Sequence, residues 1–160
     1  MNSLALLNTA LVFHIVGISL IAGSTLLDFV IVSRFWKKYS INKADALVMR
    51  DVAQVFPMVG RIGIALLVLS GIAMMSIMHG AYGQQTWMRI KIGLVVLVIL
   101  NLLVIGRRNG SRLFKLLTDE RNGTDRSVEL AKAKIAGRLF HISQFVLFLV
   151  IFTLSVFKFN

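Results

Sequence analysis

Four long apolar stretches constrain this 160-residue chain more than any other feature. A helix that crosses a bilayer needs about 20 mostly apolar residues, because each adds only ~1.5 Å of rise. Segments 4–33, 56–78, 88–106 and 136–157 each reach about that length. Hydrophobic residues make up 57% of the chain, against roughly 45–50% in a soluble domain. The pattern predicts an all-α, polytopic membrane protein, a four-transmembrane-helix antiparallel bundle forming a single domain. Residues 34–55 and 107–135 are expected to be polar connections, the second partly helical from Val128 onward. The first stretch exceeds what a bilayer requires, so it is expected to tilt or project. It has no basic residue before it and no small-residue cleavage site, so it reads as a retained span. Pro57 stands where the second helix begins, a position proline tolerates.

Charge sets the orientation. The net charge is +11. Arg34, Lys37, Lys38, Lys43 and Arg50 lie in the first connection, and nine further Lys and Arg lie from Arg107 to Arg138. The opposite side has only Arg89, Lys91 and Lys158. An excess of basic residues in short loops marks the cytoplasmic side. Both termini are therefore expected outside. A basic balance explained by topology gives no reason to expect a nucleic-acid partner; the expected surroundings are the lipid bilayer, with a homo-oligomer as the assembly. Cysteine is absent, which excludes disulfides, iron–sulfur clusters and thiolate zinc sites.

Polar residues inside spans usually face the bundle interior and mark function. In the first helix His14, Gly17, Ile21, Ser24 and Asp28 recur at i+3/i+4 spacing and share a face. In the second, Arg61 and His79 are eighteen residues apart, about five turns at 3.6 residues per turn, and Met75 joins them. That side is expected to turn inward. Asp28, Arg61, Asn101, His141 and Gln144 fall at similar depths and form an expected inner polar layer. His14, His79, Trp87 and Lys91 form an outer one. Asp28 and Arg61 are expected to pair across the first two helices. His14 and His141 lie too far apart in depth to share one iron, so each stands as a separate cofactor candidate. Gly106 and Gly110 match a small-xxx-small pattern but flank charged residues at the boundary.

Three chemistries suit these residues. A buried imidazole such as His14 is a ready axial ligand for haem iron, and Gly17 one turn on is expected to leave room for a flat ligand. Thioether and imidazole donors favour copper(I), which makes Met75, Met78 and His79, with Met88 following, candidate copper ligands, beside His14 as the candidate ligand of haem iron. The plainer alternative is that the methionines fill gaps, that Lys91 snorkels to the interface and that the polar layers only pin helices together. No Walker loop, Ser-His-Asp order or HExxH motif is present.

Three short stretches carry a resemblance: "FHIVGISLIAG" in the first helix, "WMRIKIGL" opening the third, and the closing "SVFKF". Together they resemble a broad group of small four-helix membrane proteins that includes copper-resistance-D-like proteins and the bacterial membrane protoporphyrinogen oxidase. The resemblance implies a bacterial inner membrane and bound haem b, with His14 and Lys91 as the functional residues; Arg61, His79 and His141 are further cofactor-side candidates by their place in the two polar layers. It also implies a porphyrin or quinone-like small-molecule partner and haem-dependent oxidoreductase or electron-transfer chemistry. The chain departs from the oxidase pattern at "LLDFVIVSRFW", where a Pro-Arg-aromatic stretch is expected, and at "GRLFHIS", where an acidic residue is expected. Copper handling and a cofactor-free structural subunit remain the alternative functions.

Overall fold

Helicity outlasts apolarity in this chain. A computed structural model describes residues 2–53, 55–78 and 85–157, the side chains of residues 44 and 51 excepted. Six α-helices are present among them: α1 (Ser3–Tyr39), α2 (Lys43–Ala53), α3 (Phe56–Ile77), α4 (Thr86–Leu100), α5 (Arg107–Arg121) and α6 (Ser127–Phe157). A π-helical segment, Asn101–Gly106, joins α4 to α5. No described residue is in a strand. Four helical stretches are long and apolar enough to cross a membrane: Ser3–Tyr39, Phe56–Ile77, Thr86–Arg121 and Ser127–Phe157.

The expected connections are largely helical. Polarity ends a membrane span, but it does not end a helix. Residues 34–39 continue α1 to a turn at 40–42 in which the Ser40 hydroxyl donates to the Lys37 carbonyl (2.8 Å). Asn42 Oδ1 accepts from the Asp45 backbone N–H (3.4 Å), as a helix N-cap does, and opens α2. Residues 107–121 also stay helical, because Leu113, Leu116 and Leu117 recur at helical spacing and the last two are buried. The true turn is short. Gly123 ends α5 with φ +89°, a conformation that suits glycine. Asp125 Oδ1 then accepts from Ser127 N–H (3.0 Å), and Arg126 ties the turn together by pairing with Asp119 (3.5 Å) and Glu129 (3.2 Å).

The chain divides into two compact units, Met1–Arg89 and Ile90–Phe159. In the first, α1 packs against both α2 and α3. The register is antiparallel: His14 meets Ser70, Gly17 meets Gly63 and Leu67, and Ser24 meets Gly60. In the second, the π-helical segment and α5 pack against α6. That pair is antiparallel too, with Asn101 against Gln144, Gly106 against Phe140 and Asn109 against Ala136.

The two helices of the first unit touch backbone to backbone. A Cβ on Gly17 would lie 2.8 Å from Leu67 N and 2.9 Å from the Gly63 carbonyl oxygen. A Cβ on Gly63 would lie 2.9 Å from the Gly17 carbonyl oxygen. Small residues permit such an approach, and in lipid it is packing rather than water exclusion that holds helices together. The close crossing therefore falls at Gly17 and Gly63, not at the Gly106/Gly110 pair that matches the small-residue pattern.

Candidate functional site

The polar residues of the spans gather into two clusters, one in each unit. In the first unit the α1 face read from the sequence is the packing face. Gly17, Ile21 and Ser24 are buried on it, and His14 and Asp28 are half-buried at its two ends. His14 Nδ1 lies 3.1 Å from Ser70 Oγ. Ser70 has one proton, and its hydroxyl donates it to the Leu66 carbonyl of its own helix at 2.6 Å. With its proton so placed the hydroxyl oxygen accepts, and the tautomer that fits is the one with the hydrogen on Nδ1 and the lone pair on Nε2. Gly71 stands beside the ring, its Cβ position 3.7 Å from His14 Cε1.

Gly17 does not provide the flat slot expected of it. The backbone of α3 occupies that space. The α3 side chains are also phased differently from the sequence reading. Gly60, Gly63, Leu67 and Ser70 are the buried residues of α3, whereas Arg61 is exposed and Met75 is 36% exposed. Arg61 does not pair with Asp28. Its Nε donates instead to the Pro57 carbonyl one turn earlier (3.3 Å). An arginine near a helix end can carry its charge outward along its own stem, so its presence in a span does not mark the packed face. Met78 is half-buried and caps the C-terminus of α3. His79 lies outside the described residues. Trp87 is buried, with Nε1 donating to Gln85 Oε1 (2.5 Å).

The second unit contains a buried polar cluster of its own. Asn101, His141 and Gln144 are 7%, 3% and 0% exposed. Asn101 Nδ2 donates to Gln144 Oε1 (2.7 Å) and to Ser143 Oγ (3.1 Å), which spends both of its hydrogens. Gln144 Nε2 is buried without a hydrogen-bond partner. His141 Nδ1 donates to the Gly137 carbonyl one turn earlier (2.7 Å), so this ring also has its neutral lone pair on Nε2. Asn101 is the first residue of the π-helical segment, and single π turns in α-helices often mark functional or strained places. Lys91 is half-buried on α4 of the same unit.

Asn101, His141 and Gln144 thus come out buried as the inner layer anticipated, while Arg61 leaves it. Sequence reasoning missed Ser70, the partner that orients His14, and the Gly60–Gly63 face of α3. The signal for both was the recurrence of small residues at 60, 63, 70 and 71. Among the described residues no three His, Asp or Glu side chains group together to hold a metal ion. No protein-family model matches this chain, and no curated protein or solved structure matches it either.

Proposed function

We propose that this chain is a multi-pass protein of the bacterial inner membrane that binds haem b through His14 and takes part in redox chemistry. The observation that carries this reading is the bond between His14 Nδ1 and Ser70 Oγ. A histidine that ligates metal through one ring nitrogen almost always donates its other N–H to a fixed acceptor, which sets the tautomer and the ring orientation. Ser70 is such an acceptor, and it leaves Nε2 as the donor atom an iron requires. The donor therefore fits the group, although Gly17 offers it no slot. The resemblance of "FHIVGISLIAG" and "WMRIKIGL" supports the same histidine and adds Lys91 as its functional companion. Four helices of membrane-crossing length support the location, and the basic segments support cytoplasmic connections with both termini outside.

A bound haem b supplies one-electron exchange at its iron. The part of this chain is to hold and orient the ligand. Ser70 keeps the Nδ1 hydrogen in place, and Gly71 beside the ring leaves its edge uncrowded. Protein purified in detergent from haem-replete cells is expected to show a Soret band that His14→Ala abolishes. Ser70→Ala is expected to keep some haem and to shift or broaden the band, because the ring loses its orienting acceptor. A folded, colourless protein that takes up no added haemin overturns the reading.

A second reading, a structural membrane subunit without a cofactor, is favoured by a different observation. The α1–α3 crossing leaves no ligand space at Gly17, and Asn101 spends its amide on a neighbouring helix. This reading predicts a colourless preparation in which substitutions in both clusters lower stability.

A further inference from the structure

Six cations of the second unit lie on the hairpin away from the turn, whereas Arg121 and Arg126 share the tip with the unit's carboxylates. Arg107, Arg108, Arg112 and Lys115 lie on α5, and Lys132 and Arg138 on α6; all six are exposed. The register that sets Asn101 against Gln144 and Asn109 against Ala136 brings Arg107 level with Arg138, and places Lys132 between the levels of Arg112 and Lys115. The six therefore form a collar about 12 Å tall, the rise of eight helical residues. The acidic residues of this unit, Asp119, Glu120, Asp125 and Glu129, all sit at the far tip beside the turn. Two of them are engaged there by Arg126. The chain has no Asp or Glu in 52–118 or 130–160. Among the described residues none of the six collar cations is in an ion pair.

The collar starts where the apolar stretch of Asn101–Gly106 ends, and its α6 side gives way to the apolar run after Arg138. On the membrane reading above, Arg107, Arg108 and Arg138 lie at headgroup depth, since headgroups add roughly 5–8 Å on each side of the hydrocarbon. Arg108, Arg112 and Lys115 follow at i, i+4 and i+7, so they make one stripe from which the outer two can reach back along their aliphatic stems. We propose that this collar is a binding surface for anionic phospholipid headgroups, whose phosphates supply the counter-charge that the unit's own carboxylates, placed at the tip, do not. A free polyanion is the weaker occupant, because the collar abuts the membrane on one side and the acidic tip on the other.

The test uses the full-length protein reconstituted in vesicles of phosphatidylcholine with a minor fraction of phosphatidylglycerol. Flotation with pure phosphatidylcholine vesicles first establishes insertion. Spin-labelled lipids then report which headgroup the protein retains. Preference for phosphatidylglycerol is expected at low salt, falling by about fivefold for each cation removed at headgroup depth (the equivalent of ~1 kcal/mol per basic residue near an anionic surface). Arg108→Gln/Arg112→Gln/Arg138→Gln should bring the preference close to one. Raising salt to 0.5 M should do so in the unaltered protein, which keeps the test independent of any folding defect in the variant. Equal retention of both lipids by an inserted protein overturns the collar and leaves the membrane reading intact. Failure to insert overturns both. Displacement of phosphatidylglycerol by a soluble oligonucleotide assigns the collar to a different partner and overturns the proposal.

Discussion

Gly63→Leu is expected to break apart the α1–α3 pair and lower the stability of the first unit by about 3 kcal/mol or more, the upper end of what overpacking costs. The reason is that backbone as well as side chain closes on this position, and backbone cannot move aside by a change of rotamer. The Gly17 carbonyl oxygen lies 2.9 Å from where the new Cβ would sit, and Ile21 Cγ1 lies at 2.8 Å. No rotamer relieves a clash with a carbonyl, so the helices must separate along their length. Even Gly17→Ala should destabilise, although alanine is the better helix former by up to ~1 kcal/mol. Gly23→Ala is the internal control. That glycine is on the same helix with nothing within 4 Å of its Cβ position, so the propensity gain should appear undiminished. Denaturant titration followed by circular dichroism separates the cases. A Gly17→Ala protein as stable as Gly23→Ala would mean that the backbones do not touch.

The second large effect concerns the pair of amides in the other unit. Asn101→Leu removes the donor to Gln144 Oε1, and among the described residues Gln144 Nε2 already lacks a partner. Gln144 would then be a fully buried amide with both ends unsatisfied. Interhelical hydrogen bonds inside membranes average ~0.6 kcal/mol with a maximum near 1.7, and this case belongs at the upper end because a buried polar group is stranded. Gln144→Leu should cost less, since it also removes the orphaned Nε2. The double variant Asn101→Leu/Gln144→Leu should recover most of the loss, because replacing both partners with apolar groups leaves only the Ser143 contact unmade. A double-mutant cycle in detergent measures this directly. Additive single effects would show that the amides do not act as a pair.

The contrast between the two units explains which parts of the molecule can be read from sequence. The spans are legible because length and apolarity alone define them. The α1 face is legible because His14, Gly17, Ser24 and Asp28 are small or polar residues at a helical repeat, and Ile21 falls on the same repeat. The burial of Asn101, His141 and Gln144 follows from the same logic, since uncharged polar groups at membrane depth have nowhere to go but inward. Arg61 and Met75 defeat that logic. A helix that is apolar all round gives no contrast from which to fix its phase, and a long charged side chain is no guide to the packed face. The glycines of α3 are the guide there, because close packing in lipid selects small residues rather than greasy ones. The helical continuations past Arg34 and Arg107 are hidden for another reason: the composition of a segment reports its solvent, whereas the spacing of Leu113, Leu116 and Leu117 reports its backbone.

The three-residue turn at 40–42 bears on how the first unit is made. Its register opens from that turn, and pairing outward from Lys38 with Asp45 through Ser24 with Gly60 is the folding order we predict. The sequence separation grows from 7 residues at Lys38 and Asp45 to 36 at Ser24 and Gly60, and the entropic cost grows slowly with loop length. His14 and Ser70, 56 residues apart in sequence, come together at the end of that progression. Substitutions at the glycine crossing should therefore speed unfolding and leave the folding rate nearly untouched, the kinetic signature of contacts formed after the rate-limiting step. The orientation of His14 is then among the last features acquired in folding and the first lost in unfolding.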